Sequence, residues 1–230
     1  MGAEQVLSGL WRIGLTGVNG YLIAGGEPTL VDTGIPKRAP RVEQAIRQAG
    51  RRPEEIGHIV ITHYHVDHIG SLASLVSSTG ATVYVHPGDA DVVREGSEPP
   101  RPTITGPEKL LSPLFAFFPK KADPAPVHHE LKDGEELPNG LRVVHTPGHT
   151  PGHVSLLWPE QGGVLIVGDA AFNVFGRLGP PMSFEDLATA KRSLHRMAEL
   201  DFEAAVFGHG PPIKGRAAAR FRTMVEQKAG

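Results

Sequence analysis

From Thr62 to His68 the chain reads Thr-His-Tyr-His-Val-Asp-His, placing three imidazoles and a carboxylate in six consecutive positions. Neutral imidazole nitrogen and ionised carboxylate oxygen together are donors for a divalent cation of borderline hardness. In extended backbone, side chains two apart point the same way, so His63 and His65 can grip one ion while Asp67 and His68 face elsewhere. That arrangement suits a second ion beside the first, and it differs from the helical His-x-x-x-His spacing of zincins. A surface loop that happens to be rich in histidine is the plainer alternative. It is weakened by further ligand-type residues later in the chain.

The elements around the loop place it where chemistry is expected. His58-Ile59-Val60-Ile61 reads as a buried strand from its β-branched residues, and a short helical pattern follows from Ser71 to Val76. The loop therefore lies at the C-terminal end of a strand, the functional end of α/β folds. The stretch His145-Thr146-Pro147-Gly148-His149-Thr150-Pro151-Gly152-His153 follows the apolar Leu141–Val144, and its glycines and prolines fix a tight turn that aims an imidazole inward. Val164–Val167 runs into Gly168-Asp169, and Ala205-Val206-Phe207 runs into Gly208-His209. In each of these two, a strand is followed by a glycine that permits close backbone approach and then by a ligand-type residue. Further strands are expected at 9–13, 19–23, 29–32 and 81–86. Helices are expected at 41–48, at 183–199 with Ser183 as its N-cap, and at about 216–227.

With these motifs in this order, and with the early acidic motif Val31-Asp32-Thr33-Gly34, the chain resembles the metallo-β-lactamase superfamily over almost its whole length. The resemblance implies an α/β fold, a four-layer αββα sandwich, with His63, His65 and His149 around one metal ion and Asp67, His68 and His209 around another. Asp169 would bridge both ions, and Asp32 would stand behind the ligands and orient their loops. Zinc suits these donors best, with iron or manganese as alternatives. Two ions sharing a hydroxide present a nucleophile near neutral pH, and Asp67, the expected catalytic residue, both binds metal and orients that hydroxide. The implied activity is hydrolysis of an ester, thioester or lactone carbonyl, in a glyoxalase II-like or lactonase-like branch. The alternatives are a one-iron persulfide dioxygenase using His63, His149 and Asp169, and a non-catalytic metal-binding member.

Departures from the family pattern narrow the substrate. Cysteine is absent, which argues against β-lactamase subgroups that bind metal through a thiolate. The remaining lactamase subgroup generally lacks the bridging aspartate present here as Asp169. Glyoxalase II enzymes bind glutathione through a C-terminal helical region, whereas only 210–214 and one expected helix follow His209. The tyrosine of lactonases is replaced by Phe172, which cannot donate a hydrogen bond to a lactone carbonyl.

Composition sets the remaining expectations. A chain of 230 residues, 40% hydrophobic, can build one sizeable core, so a single domain over 1–230 is expected. A net charge of −2 without basic runs points away from nucleic acid and anionic membranes, and towards a small-molecule substrate. No leader pattern or membrane-spanning stretch is evident, so a cytoplasmic location is expected. The proline-rich segment 98–126 carries Leu110, Leu111, Leu114, Phe115, Phe117 and Phe118. It reads as a lid whose Phe117 and Phe118 join Phe172 in an apolar substrate pocket, as a homodimer contact, or as a small satellite core. His58, His86, His128, His129, His145 and His195 read as surface or satisfied core residues, and His153 as a neighbour behind His149.

Overall fold

In the computed structural model, residues 2–97, 103–104, 121–181 and 183–228 are described. Alternation of side chains along its strands decides the architecture. In Leu30-Val31, Ile59-Val60 and Leu165-Ile166 both neighbours are buried but enter different cores. That is what a two-residue period demands of a sheet covered on both faces.

The first sheet runs in the order β1 (Ala3–Leu7), β2 (Leu10–Gly14), β3 (Asn19–Ile23), β4 (Thr29–Val31), β5 (His58–Val60), β6 (Thr82–Val85) and, beyond a detached strand β7 (Thr103–Ile104), β8 (His129–Glu130). It is antiparallel from β1 to β4 and parallel from β4 to β8. The second sheet begins with β9 (Glu136–Leu137), β10 (Leu141–His145), β11 (Val154–Trp158) and β12 (Val164–Ile166). A hairpin of β13 (Phe172–Val174) and β14 (Arg177–Gly179) follows, then β15 (Ser183–Phe184), which pairs with β7. The second sheet is completed by β16 (Ala204–Val206), parallel to β12, and β17 (Ile213–Lys214).

Helices α1 (Ala39–Gln48), α3 (Leu72–Thr79) and α4 (Pro87–Glu95) cover the outer face of the first sheet, while the short α2 (Val66–Ile69) lies within the histidine loop. Helices α5 (Leu187–Ala198) and α6 (Ala217–Lys228) cover the second sheet through Leu194, Met197 and Phe221. Between the sheets, Tyr21, Val31, Val60, Leu156, Ile166 and Val206 form a third core. The layers are therefore α, β, β, α, as expected. No helix among the described residues is long and apolar enough to cross a membrane.

Ser183 does not cap a helix. Asp186 does, its carboxylate accepting from the Thr189 amide at 3.0 Å, while Ser183 belongs to β15. A carboxylate three residues nearer the apolar face competes better for the free amides of the first turn. Phe117 and Phe118, with most of the 98–126 segment, lie outside the described residues.

Candidate metal centre

Parallel strands β4, β5 and β6 end at one edge of the first sheet, and β10, β12 and β16 end at the facing edge of the second. Every expected ligand follows one of these ends. Asp32, just past β4, adopts the left-handed φ of 60°, sparsely used by residues other than glycine. Its carboxylate accepts from the Thr62 amide, the Thr62 hydroxyl and His68 Nδ1, each at 2.8 Å. The His68 carbonyl in turn accepts from the Thr33 amide and hydroxyl, both at 2.7 Å. The extended backbone at 63–65 turns helical at Val66, so Asp67 and His68 swing away from the direction of His63 and His65.

His63, His65 and His149 converge. Their facing ring nitrogens lie 3.0 Å (His63 Nε2 to His65 Nδ1), 3.2 Å (His63 to His149 Nε2) and 2.9 Å (His65 to His149) apart. Outer bonds assign the tautomers. His149 Nδ1 donates to the Ser183 carbonyl at 2.7 Å, and His63 Nδ1 meets Thr62 Oγ1, whose proton goes to Asp32, at 3.0 Å. Both Nε2 atoms are thereby left as bare lone pairs. Burial, reinforced for His63 and His65 by neighbouring imidazoles, holds all three below the ordinary range, His65 down to about 3 and His63 well below 6.5. The two bare lone pairs of His63 and His149, with His65 Nδ1 beside both, form a set that one cation would satisfy together.

The second group is charged. Asp67 Oδ2 lies 3.3 Å from His209 Nε2 and 3.8 Å from His68 Nε2. Asp169 faces both groups, 3.3 Å from His209, 3.5 Å from His68 and 3.7 Å from His149. His209 Nδ1 donates to the Gly17 carbonyl at 2.7 Å, so its Nε2 also points inward. Burial opposes charge on His209 and His68, yet the carboxylates prevail. Asp169 leads in raising His209 to about 10, and Asp169 and Asp32 hold His68 well above the ordinary range. Burial likewise pushes Asp67 and Asp169 up, but His68 and His209 keep both carboxyls low. His68 Nε2 and Asp169 Oδ1 are buried without a hydrogen-bond partner. A cation that displaced the His68 Nε2 proton would engage both orphaned atoms. The close approach depends on Gly208, where a Cβ would fall 2.0 Å from Asp169 Oδ1.

Within 4.8 Å of one another, then, lie donor atoms of His63, His65 and His149, of His63, His68 and Asp169, and of Asp67, His68 and His209. His153 joins none of these groups. Its Nε2 accepts from the Asp169 amide at 2.9 Å, and its Nδ1 meets Thr146 Oγ1 at 2.8 Å, so its lone pair is committed to holding the Asp169 loop. Phe172 is buried with its ring 5.1 Å from that of His209, edge to face. His58 contacts the Tyr84 hydroxyl, His128 accepts from the Val83 amide, and both are spent on the scaffold. Sequence reasoning missed Asp89, in Val85-His86-Pro87-Gly88-Asp89. The signal was available, because it too is a strand end followed by a glycine and a carboxylate.

Known proteins resemble the chain in sequence and in fold. The family model described as the metallo-beta-lactamase superfamily matches residues 13–209. The chain is 32% identical over 205 residues to "Probable metallo-hydrolase YflN" of Bacillus subtilis (strain 168), covering 81% of this chain and 76% of that one. It is 33% identical over 176 residues to a hydroxyacylglutathione hydrolase of Methylococcus capsulatus, covering 75% of this chain but 54% of that protein. Among solved structures, "MIM-2 Metallo-Beta-Lactamase" matches with a TM-score of 0.76 at 22% identity, over 99% of this chain and 89% of that one, a likeness of fold alone. A sandwich with histidine and aspartate side chains gathered at its strand ends, matched by the family model over most of its length, belongs to the metallo-β-lactamase superfamily.

Proposed function

We propose that the chain is a dinuclear metal hydrolase acting on an ester, thioester or lactone carbonyl, with zinc as the preferred ion. The observation that carries this reading is Asp169, whose carboxylate faces His149 of one ligand group and His68 and His209 of the other. When bound, divalent cations lower the pKa of water and withdraw charge from a carbonyl oxygen. The chain's own contribution is to fix imidazole tautomers through Asp32, Ser183 and Gly17, and to set Asp67 where it can accept and orient a proton of the attacking water.

Phe172 against His209 supports an apolar pocket wall. Thr103–Ile104 pair with Ser183–Phe184, whose Ser183 carbonyl holds His149, which brings this short strand close to the first group. A panel of lactones, thioesters and aryl esters, assayed with metal content measured on the same sample, tests the proposal. Two ions per chain and hydrolysis without oxygen uptake are expected. One iron per chain with oxygen consumption would replace the reading with a dioxygenase.

A further inference from the structure

Among the buried titratable groups outside both ligand groups, Asp89 stands apart because its bonds lead to two ligand-bearing loops at once. It sits in the first turn of α4, 1% exposed, and pairs with no cation among the described residues. Its Oδ2 accepts from the Tyr64 amide at 3.0 Å and the Thr150 hydroxyl at 2.7 Å, and its Oδ1 accepts from the Gly152 amide at 2.7 Å. Tyr64 lies between His63 and His65, and Thr150 and Gly152 lie one and three positions after His149.

We infer that Asp89 is a positioning residue for the His63, His65 and His149 group, clamping the two loops at the separation that makes their ring nitrogens converge. This rests on the reading that these three histidines hold a metal ion. The packing leaves no slack for another arrangement. A Cβ on Gly152 would fall 2.5 Å from the Asp89 amide nitrogen, and one on Gly88 would fall 2.8 Å from the Gly152 amide. The two amides can only donate, and the Thr150 hydroxyl donates as well, so the pocket calls for an ionised carboxylate with two acceptor oxygens. Burial pushes Asp89 up to about 7, and the Thr150 and Gly152 bonds pull the other way. An asparagine would turn its amide hydrogens towards at least one of these donors. The second group has separate supports, Asp32 behind His68 and the Gly17 carbonyl behind His209, so its geometry does not run through Asp89.

The test titrates zinc alone into the full chain against a chromophoric chelator, for the wild type, Asp89→Asn and Thr150→Val. His63→Ala identifies the binding step that belongs to the first group. Asp89→Asn should weaken that step by roughly 10- to 100-fold and leave the other within about twofold, with Thr150→Val weakening the same step less. An unchanged first step in both variants overturns the inference. Equal weakening of both steps, in parallel with lower melting of the metal-free chain, also overturns it, because that marks a role in the fold at large. Should Asp89→Asn fail to fold, Thr150→Val decides on the same criteria. Were the wild type to show no step that His63→Ala removes, the metal reading and this inference would fall together. A wild-type step with unaffected variants overturns the Asp89 inference alone.

Discussion

The two ligand groups share a carboxylate but are held in opposite ways. His63, His65 and His149 are neutral, and the lone pairs of His63 and His149 Nε2 face each other across about a hydrogen-bond length with no proton of their own to share. Nothing inside that group favours its own geometry. It is imposed from outside by Thr62, the Ser183 carbonyl and the loops tied to Asp89. Asp67, His68, His209 and Asp169 instead attract one another, and alternating charge draws them together. The difference teaches where each group is vulnerable. The first depends on its scaffold, whereas the second depends on its own charges.

The largest expected effect tests the link between the groups. Asp169→Asn should lower kcat/KM by about 10³-fold, or ~4 kcal/mol, on whichever ester-type substrate the panel identifies. Zinc titration of that variant should show both binding steps weakened, while His65→Ala weakens only the first. A variant at Asp169 that disturbs one step alone would break the picture of a shared ligand. Asp32→Asn comes next, since it disturbs the acceptor for His68 Nδ1 and for Thr62. The expected loss is roughly 10- to 100-fold in zinc affinity, read in chelator competition and greater for the second step than for the first. A greater loss at the first step would show that Thr62, rather than His68, transmits the role of Asp32.

How much of this was legible in the sequence follows the same division. Ligand-type residues just after buried strands announce themselves by pattern, so the strand ends and the residues that follow them could be read directly, while the role of Asp32 and the choice of His149 came from the family resemblance. Residues that act on backbone amides leave weaker traces. Asp89 reaches Tyr64 and Gly152, 25 and 63 positions away, through amides that every residue possesses. His153 differs from His149 only in which partner takes its lone pair, which no spacing rule encodes. Strand β1 was missed because Glu4 and Gln5 are exposed on a sheet edge, and the apolar alternation that marks buried strands is absent there. The helix start moved from Ser183 to Asp186 because two acceptors stood within one turn, and β15 pairing claimed the serine.

The smallest expected effect asks whether the first group's scaffold extends to the surface. Arg196 of α5 donates through Nη2 to both carboxylate oxygens of Asp133, at 2.9 and 2.8 Å, and through Nη1 to the His145 carbonyl at 2.9 Å, just ahead of the His149 turn. Both side chains are more than two-fifths exposed, so solvent screening limits the pair. Burial is the largest single influence on the Asp133 carboxyl and raises it, but the Arg196 bond, the His145 amide and the neighbouring positive charge together outweigh it and leave the group below its ordinary value. A carboxyl lowered by folding stabilises the folded state above its unfolded pKa, about 3.9, and loses that contribution as pH falls through the folded value. Arg196→Gln should therefore cost under about 1 kcal/mol at neutral pH, or roughly 2–4 °C in melting temperature. The gap from wild type should narrow as the solution is acidified below the ordinary aspartate pKa, leaving only the part due to the His145 carbonyl, which does not titrate. Zinc affinity at the first step should stay unchanged if the clamp is internal. A first step that weakens along with the melting temperature would extend the scaffold of His149 outward to this surface pair.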